Sequence, residues 1–290
     1  HTIGRRQRQM CIRDSRNAQS IAKSTIVAEE HYDLGNDFYA AMLDPRMVYT
    51  CGYWRNAMTL DQAQTNKLEL VCQKLQLEPG MRVLDVGCGW GSLAKYAAEN
   101  HDVNVVGVTI SQPQQEYARR DCAGLPVDIL LRDYRELDHK FIHYFDRIAS
   151  LGMFEHVGKR NYRRYIECMR RYLKDDGLFL LHTIGRNDSG RGIDPWVTKY
   201  IFPNSEIPSL QSIVESIESE FLVEDLHNFG ADYDKTLLSW HKNFRQSWSS
   251  FRDKMPSKFY RMWTYYLLMF AGAFRSRHLQ LWQFVLSPRV

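Results

Sequence analysis

An α/β protein, built on a mostly parallel sheet with helices on both faces, is the fold class this sequence predicts. Two observations carry the prediction. From Arg82 onward, short apolar runs of strand length alternate with segments of helical periodicity, and each parallel crossover needs a helix to cover the sheet. The first of those runs also closes on a glycine turn, Val83-Leu84-Asp85-Val86-Gly87-Cys88-Gly89-Trp90-Gly91, at the carboxyl end of a strand where such sheets receive ligands.

The elements follow in order. Ala18 to Met42 mixes short helical signals with a polar turn at His31 to Asp37, and an aromatic-rich loop spans Tyr49 to Trp54. Leu60, Ala63, Leu68, Val71, Cys72 and Leu75 recur at helical spacing between Thr59 and Leu77, and Pro79-Gly80 then punctuates the chain. After it come strand 83–86, helix 92–100, strand 103–109, helix 112–122 and strand 127–131. An insert separates these from strand 145–150, which is followed by helix 159–173, a turn at Asp175-Asp176-Gly177 and strand 178–182. Residues 185–206 read as an irregular lid. Three helices at 210–220, 237–251 and 258–274, and a last strand at 279–286, complete the chain.

Composition narrows the function. Residues 1–16 carry five arginines and one aspartate, so the formal charge of +4, from 38 basic and 34 acidic residues, falls to 33 against 33 without them. A balanced chain gives no argument for a nucleic-acid partner, and no Asn-Pro-Pro-Tyr type motif of a base-flipping methyltransferase is present. The leader 1–16 has neither apolar periodicity nor an apolar signal core, and reads as disordered or non-native. Six cysteines form no Cys-x-x-Cys pair, which reads as reduced thiols of a cytosolic protein with no metal site. The longest apolar run, Thr264 to Phe274, is shorter than the roughly 20 residues of a spanning helix.

The glycine turn selects among nucleotide ligands. Its spacing, Gly-x-Gly-x-Gly, is one residue short of the dinucleotide fingerprint, and NAD would also want an acid about 20 residues on, at the end of the second strand. That strand ends in Thr109-Ile110-Ser111. The nine residues resemble instead the first motif of the class I S-adenosylmethionine-dependent methyltransferases.

The motifs around it sharpen the resemblance. HYDLGNDFYAAMLDP at 31–45, YTCGYW at 49–54, GVTISQPQ at 107–114, GMFEHVG at 152–158, LLHTIG at 180–185 and HNFGADYDKTLLSW at 227–240 together resemble the cyclopropane-fatty-acid synthases, from about residue 28 to the C-terminus. The resemblance implies a Rossmann-like, mostly parallel seven-stranded sheet with helical lid insertions. Residues 17–290 then form one catalytic domain, with a helical preface at 17–80, a cofactor-binding core at 81–185, and lid and acyl-pocket elements at 186–290. It further implies transfer of a methylene group from S-adenosylmethionine to the cis double bond of a phospholipid acyl chain, forming a cyclopropane ring through a carbocation. In this family the base is a bound bicarbonate, and the matching positions that hold it are Cys51, Glu155, His182, Ile184 and Tyr233. For the methyl donor, the resemblance carries Tyr49, Thr50, Gly87 and Gly89 to the methionine end, Thr109 and Gln114 to the ribose and adenine, and Tyr134 beside the adenine.

Elementary chemistry supports that assignment. An alkene needs no activating base, but a cation exposed to water would be captured as an alcohol, so the reaction wants a dry pocket with aromatic walls. Taken alone, a Glu-His pair is more often a solvated turn and a histidine after Leu180-Leu181 a core residue; the surrounding motifs turn both toward catalysis. Cys51 has no electrophilic substrate to attack and reads as a pocket residue.

A phospholipid substrate implies a cytoplasmic protein at the inner membrane surface, and the basic run Lys159, Arg160, Arg163, Arg164, Arg170 and Arg171 is the candidate contact. Longer relatives carry an N-terminal domain for lipid binding and dimer contacts, which leaves a homodimer open, and residues 138–146 look a few residues longer than usual. The rival readings are a methyltransferase acting on a small-molecule amine and a non-catalytic cofactor- or lipid-binding remnant.

Overall fold

The computed structural model describes Gln19, residues 34–189 and residues 194–289; the leader, most of the 18–33 segment and His31 to Asp33 of the first motif lie outside them. The described residues form a seven-stranded sheet in the order β3-β2-β1-β4-β5-β7-β6. Its strands are β1 (Arg82–Val86), β2 (Asn104–Thr109), β3 (Val127–Leu131), β4 (Phe145–Leu151), β5 (Leu173–Gly185), β6 (Phe221–Asn228) and β7 (Gln280–Pro288). The first five pair in parallel, and β7 enters antiparallel between β5 and β6.

Period-two alternation divides the sheet's side chains between two cores. Val83, Ala149, Leu180 and Val285 pack with α2 (Leu60–Lys74) and α3 (Ser92–His101) on one face. Leu84, Ile148, Phe179, Leu181, Phe284 and Leu286 pack on the other with α5 (Tyr162–Tyr172) and α7 (Leu210–Ile217). The helix α4 (Gln112–Asp121) returns β2 to β3.

A third cluster stands beyond the carboxyl ends of the strands. It joins α1 (Asn36–Met42) to α8 (Asp232–Ser247) and α9 (Phe259–Arg275), with Phe38, Trp240, Phe244, Trp263, Tyr266 and Phe274 all buried. Phe38 alone makes edge contacts with five aromatic rings. Rings in this arrangement set positive edges against negative faces and fix one another's orientation.

The expectations are corrected or completed at four places. The insert between β3 and β4 consists of two 3-10 turns, Tyr134–Glu136 and His139–Phe141, and Phe141 stacks on Phe145. The turn at Asp175-Asp176-Gly177 is a bulge inside β5: its register jumps from Phe145 opposite Leu173 to Arg147 opposite Leu178. The lid segment contains a short helix, α6 (Pro195–Tyr200), capped by Asp194 Oδ1 accepting from Trp196 N at 2.7 Å with proline at its first turn. Last, β6 has no counterpart in the sequence-based expectation. It is an edge strand with a bulge between Val223 and Asp225, its residues mostly exposed, so no alternation marks it.

Gly185 at the end of β5 shows how closely the strands pack there: a Cβ at this position would lie 2.1 Å from a ring carbon of Trp282. Gly185→Ala is therefore expected to cost about 1–3 kcal/mol by overpacking, read as a lower Tm in thermal denaturation; an unchanged Tm would show that the indole has room to move.

Candidate active site

One cleft opens at the carboxyl ends of β1 to β4. It is lined by Tyr49 and Thr50 from the loop before α2, by Gly87 to Trp90, by Thr109 to Ser111 with Gln114, by Arg132 to Arg135, and by Leu151 to Met153. All seven residues assigned to the methyl donor, Tyr49, Thr50, Gly87, Gly89, Thr109, Gln114 and Tyr134, line this one cleft. The glycine turn is tied down where Val108 O accepts from Gly87 N at 2.9 Å and Cys88 N at 3.0 Å. Gly87 sits at φ 76°, and a Cβ on it would come within 2.7 Å of Met153, so the turn admits only glycine there. Thr109 Oγ1 donates to Gln114 Oε1 at 3.1 Å and accepts from Ser111 N at 3.2 Å, which holds the two polar side chains as a unit.

Sequence reasoning missed a buried charge set on the floor of this cleft. Lys67, only 1% exposed, donates from Nζ to Thr50 Oγ1 at 3.0 Å, and burial lowers its pKa to about 8 against the pull of Asp44 and Asp85. Burial raises Asp85 to about 7 in spite of the Lys67 charge. Lys67 acts on Asp85 through its charge alone, partly offsetting the burial of a carboxyl whose Oδ2 has no hydrogen-bond partner. A signal was present, because Lys67 falls on the apolar stripe of α2 between Ala63 and Val71. Asp133 is a second omission: buried beside Tyr134, it pairs with Arg135 at 2.6 Å.

The five residues assigned to the anion lie outside that lining, next to it. Glu155 projects from a 3-10 turn, Phe154–His156, after β4, and its Oε1 accepts from Ile184 N on β5 at 2.7 Å. Its Oε2 is buried with no partner, and burial first of all raises its pKa to about 7. His182, two residues before Ile184 and leaving the same face of β5, is 1% exposed. Burial, with Lys67 and Lys74 nearby, holds it neutral, well below its usual pKa, and its Nε2 has no partner. Cys51 is fully buried, donates from Sγ to Gly52 O at 3.2 Å, and has its thiol pushed well up by burial; it is a protonated thiol, not a nucleophile.

Glu155 and Ile184 are thus brought into direct contact, His182 packs on Phe229 with ring centroids 5.7 Å apart, and Cys51 and Tyr233 belong to the wider aromatic cluster that contains Phe229. The ring of Tyr233 packs on Phe274 at 4.5 Å and on Trp240 at 6.0 Å. Tyr49 joins the two regions. It lines the cleft, packs on Trp240 at 5.1 Å and shares a hydrogen bond with Tyr266 at 3.0 Å. Gly152 joins them a second time, lining the cleft while its N–H donates to His182 O at 2.9 Å.

Residues 19–284 match the family model described as mycolic acid cyclopropane synthetase. The chain belongs to this family. It is 55% identical over 274 residues to the cyclopropane-fatty-acyl-phospholipid synthase of Escherichia coli K12, across 94% of this chain and 71% of that protein. It is 38% identical to a probable fatty acid methyltransferase of Pseudomonas putida, across 87% of this chain and 66% of that one. Among solved structures, the cyclopropane synthase MmaA2 from Mycobacterium tuberculosis aligns with TM-score 0.83 and 30% identity over 91% of this chain and 98% of that one. Mycolic acid cyclopropane synthase CmaA1, complexed with SAH and CTAB, gives TM-score 0.84 and 31% identity over the same shares. Like its relatives, this cyclopropane-synthetase family member is an S-adenosylmethionine-dependent methyltransferase.

The raised pKa of Glu155 sets a pH dependence. A carboxyl whose folded pKa lies above its ordinary 4.5, at about 7, adds stability that is complete below pH 4.5 and is lost as pH rises through 7. Ligand-free wild type is expected to lose up to about 3 kcal/mol relative to Glu155→Gln across that window, measured by denaturant unfolding at each pH. A constant difference between the two would contradict the burial of this group.

Proposed function

We propose that this protein moves a methyl carbon from S-adenosylmethionine to the cis double bond of an unsaturated phospholipid acyl chain and closes a cyclopropane ring, with bicarbonate bound at Glu155, His182, Ile184, Cys51 and Tyr233. The observation that carries this reading is the pair of unpartnered buried atoms, Glu155 Oε2 and His182 Nε2, beside an aromatic cluster that meets the cofactor cleft at Tyr49. A neutral histidine and a carboxyl with pKa about 7 suit a small anion: each can offer a proton to it, and neither brings a fixed negative charge.

The alkene π pair takes the methyl carbon as its bond to sulfur breaks, leaving a neutral thioether and a carbocation on the acyl chain. Loss of a proton from the added methyl group then closes the ring. Bicarbonate held at this site supplies the base for that proton. The chain's own part is to bind, shield and orient. Tyr233, Trp240 and Phe274, packed together in the buried cluster, are the aromatic groups that would stabilise a cation through their ring quadrupoles while excluding water. The Ile184 N–H fixes one oxygen of Glu155, which leaves the other for the anion. Cys51 contributes backbone and volume.

A lipid surface is the proposed source of the substrate. No helix among the described residues is long and apolar enough to cross a membrane. The outer side of α9 supports docking from one side instead. That helix has no acidic residue and exposes Tyr265 (52%) and Leu268 (41%). Trp196 of α6 packs edge-on against Tyr265, and Lys199 and Lys258 flank Tyr200. Apolar and aromatic groups rimmed by lysines are what an interfacial contact uses. The basic run on α5 is a weaker candidate, since Arg163 pairs with Glu167 and Arg170 with Asp175.

Incubation with S-adenosylmethionine and mixed phospholipid vesicles tests the proposal. Unsaturated chains are expected to gain one CH₂ in mass with high-field ring protons in the NMR spectrum, and the rate is expected to fall on removal of dissolved bicarbonate and return when it is restored. A methyl-branched or amine-methylated product, or a rate indifferent to bicarbonate, would contradict it.

A further inference from the structure

Behind His182 stands a side chain that no motif pointed to. Gln283 on β7 lies directly opposite His182 in the antiparallel register of β5 and β7, and opposite His227 of β6 on its other side. Residues paired this way leave the same face of the sheet with their side chains adjacent. Gln283 is fully buried, and its Nε2 lies 3.3 Å from His182 Nδ1. Within the apolar interior of a mostly hydrophobic strand, a glutamine is costly unless its amide has a task.

Only one end of each side chain is satisfied. Gln283 Oε1 and His182 Nε2 are both buried without partners. An amide nitrogen can only donate, so Nδ1 must accept, and the one ring proton of a neutral imidazole then resides on Nε2. Either orientation of the amide leaves two N–H donors and one acceptor of the pair without partners, so the choice falls to what faces Nε2: beside the proposed anion an N–H serves there, whereas the reverse orientation would turn a bare lone pair toward it. Lys67 and Lys74 both disfavour a second proton on the ring. Phe229 packs against the imidazole at 5.7 Å and 67° and limits its rotation.

We propose that Gln283 is a positioning residue that locks His182 in the Nε2–H tautomer, so that His182 serves the reaction as a neutral hydrogen-bond donor and is barred from acting as the base. The consequence rests on the proposed anion site: with Nε2 already protonated, the ring can hold an anion but cannot accept the proton released on ring closure. Responsibility for that proton then falls on the anion and Glu155. The lock itself rests on the β5–β7 register and on the amide nitrogen of Gln283 facing Nδ1.

Long-range ¹H–¹⁵N spectra of the full chain labelled with ¹⁵N-histidine report the tautomer, with His182 assigned by its absence in His182→Asn. The wild type is expected to show a protonated Nε2 and a bare Nδ1; a protonated Nδ1, or an imidazolium near neutral pH, would overturn the proposal without any variant at position 283. In Gln283→Glu, a carboxylate facing Nδ1 accepts its proton and turns Nε2 into an acceptor. The expected results are the opposite tautomer and a fall in kcat on the order of 10²-fold or more, with KM for S-adenosylmethionine unchanged. An unaltered His182 spectrum in this variant would overturn the lock. A switched tautomer with undiminished kcat would uphold the lock and refute the role of His182 at the anion, which separates the two claims.

Discussion

The hydrogen bond from Ile184 N to Glu155 Oε1 is the constraint around which the site is organised. It joins the turn after β4 to the end of β5, across the central parallel pair of the sheet, and consumes one of the two carboxyl oxygens. The groups proposed to react are then arranged by what the backbone does on either side of it. Gly152, three residues before Glu155, both lines the cofactor cleft and bonds to His182 O. His182, two residues before Ile184, faces the same way as Ile184 and meets Gln283 behind it.

This arrangement divides two incompatible demands between two neighbouring spaces. The cleft over the glycine turn carries Lys67 and Asp85 in its lining, titratable groups that a charged, hydrogen-bonding methyl donor can meet. The cluster beyond Tyr49 is aromatic and buried, as the proposed carbocation requires of its surroundings. In the proposed reaction methyl transfer takes a cation from the first to the second, and the positive φ of Gly87 and Gly89 suits a donor lying close to the backbone there.

Much of this was legible in the sequence, and the parts that were not share a cause. β1, β2, β4 and the second half of β5 were readable because they are mostly buried and appear as apolar runs, and β3 from its Ile-Leu-Leu run although only Ile129 in it is buried; β6 was not, since Phe221 is the only buried residue in it. Helix α6 was announced by Asp194-Pro195 but is too short for periodicity to show. The residues assigned to the donor came from the motifs that carry the resemblance, and they line one cleft because those motifs end at neighbouring strand termini. Lys67 and Gln283 were missed because each acts from a position that periodicity assigns to the core, on α2 and β7. Their roles exist only once distant strands and helices are packed.

The central claim is that the cation is quenched inside a dry aromatic chamber by a proton acceptor held at Glu155. Turnover of unsaturated phospholipid in ¹⁸O-labelled water reads this directly, since any water that reaches the cation leaves its oxygen in the lipid. The account predicts ring-containing chains free of ¹⁸O from the wild type. A methylated alcohol carrying ¹⁸O as a substantial wild-type product would contradict it.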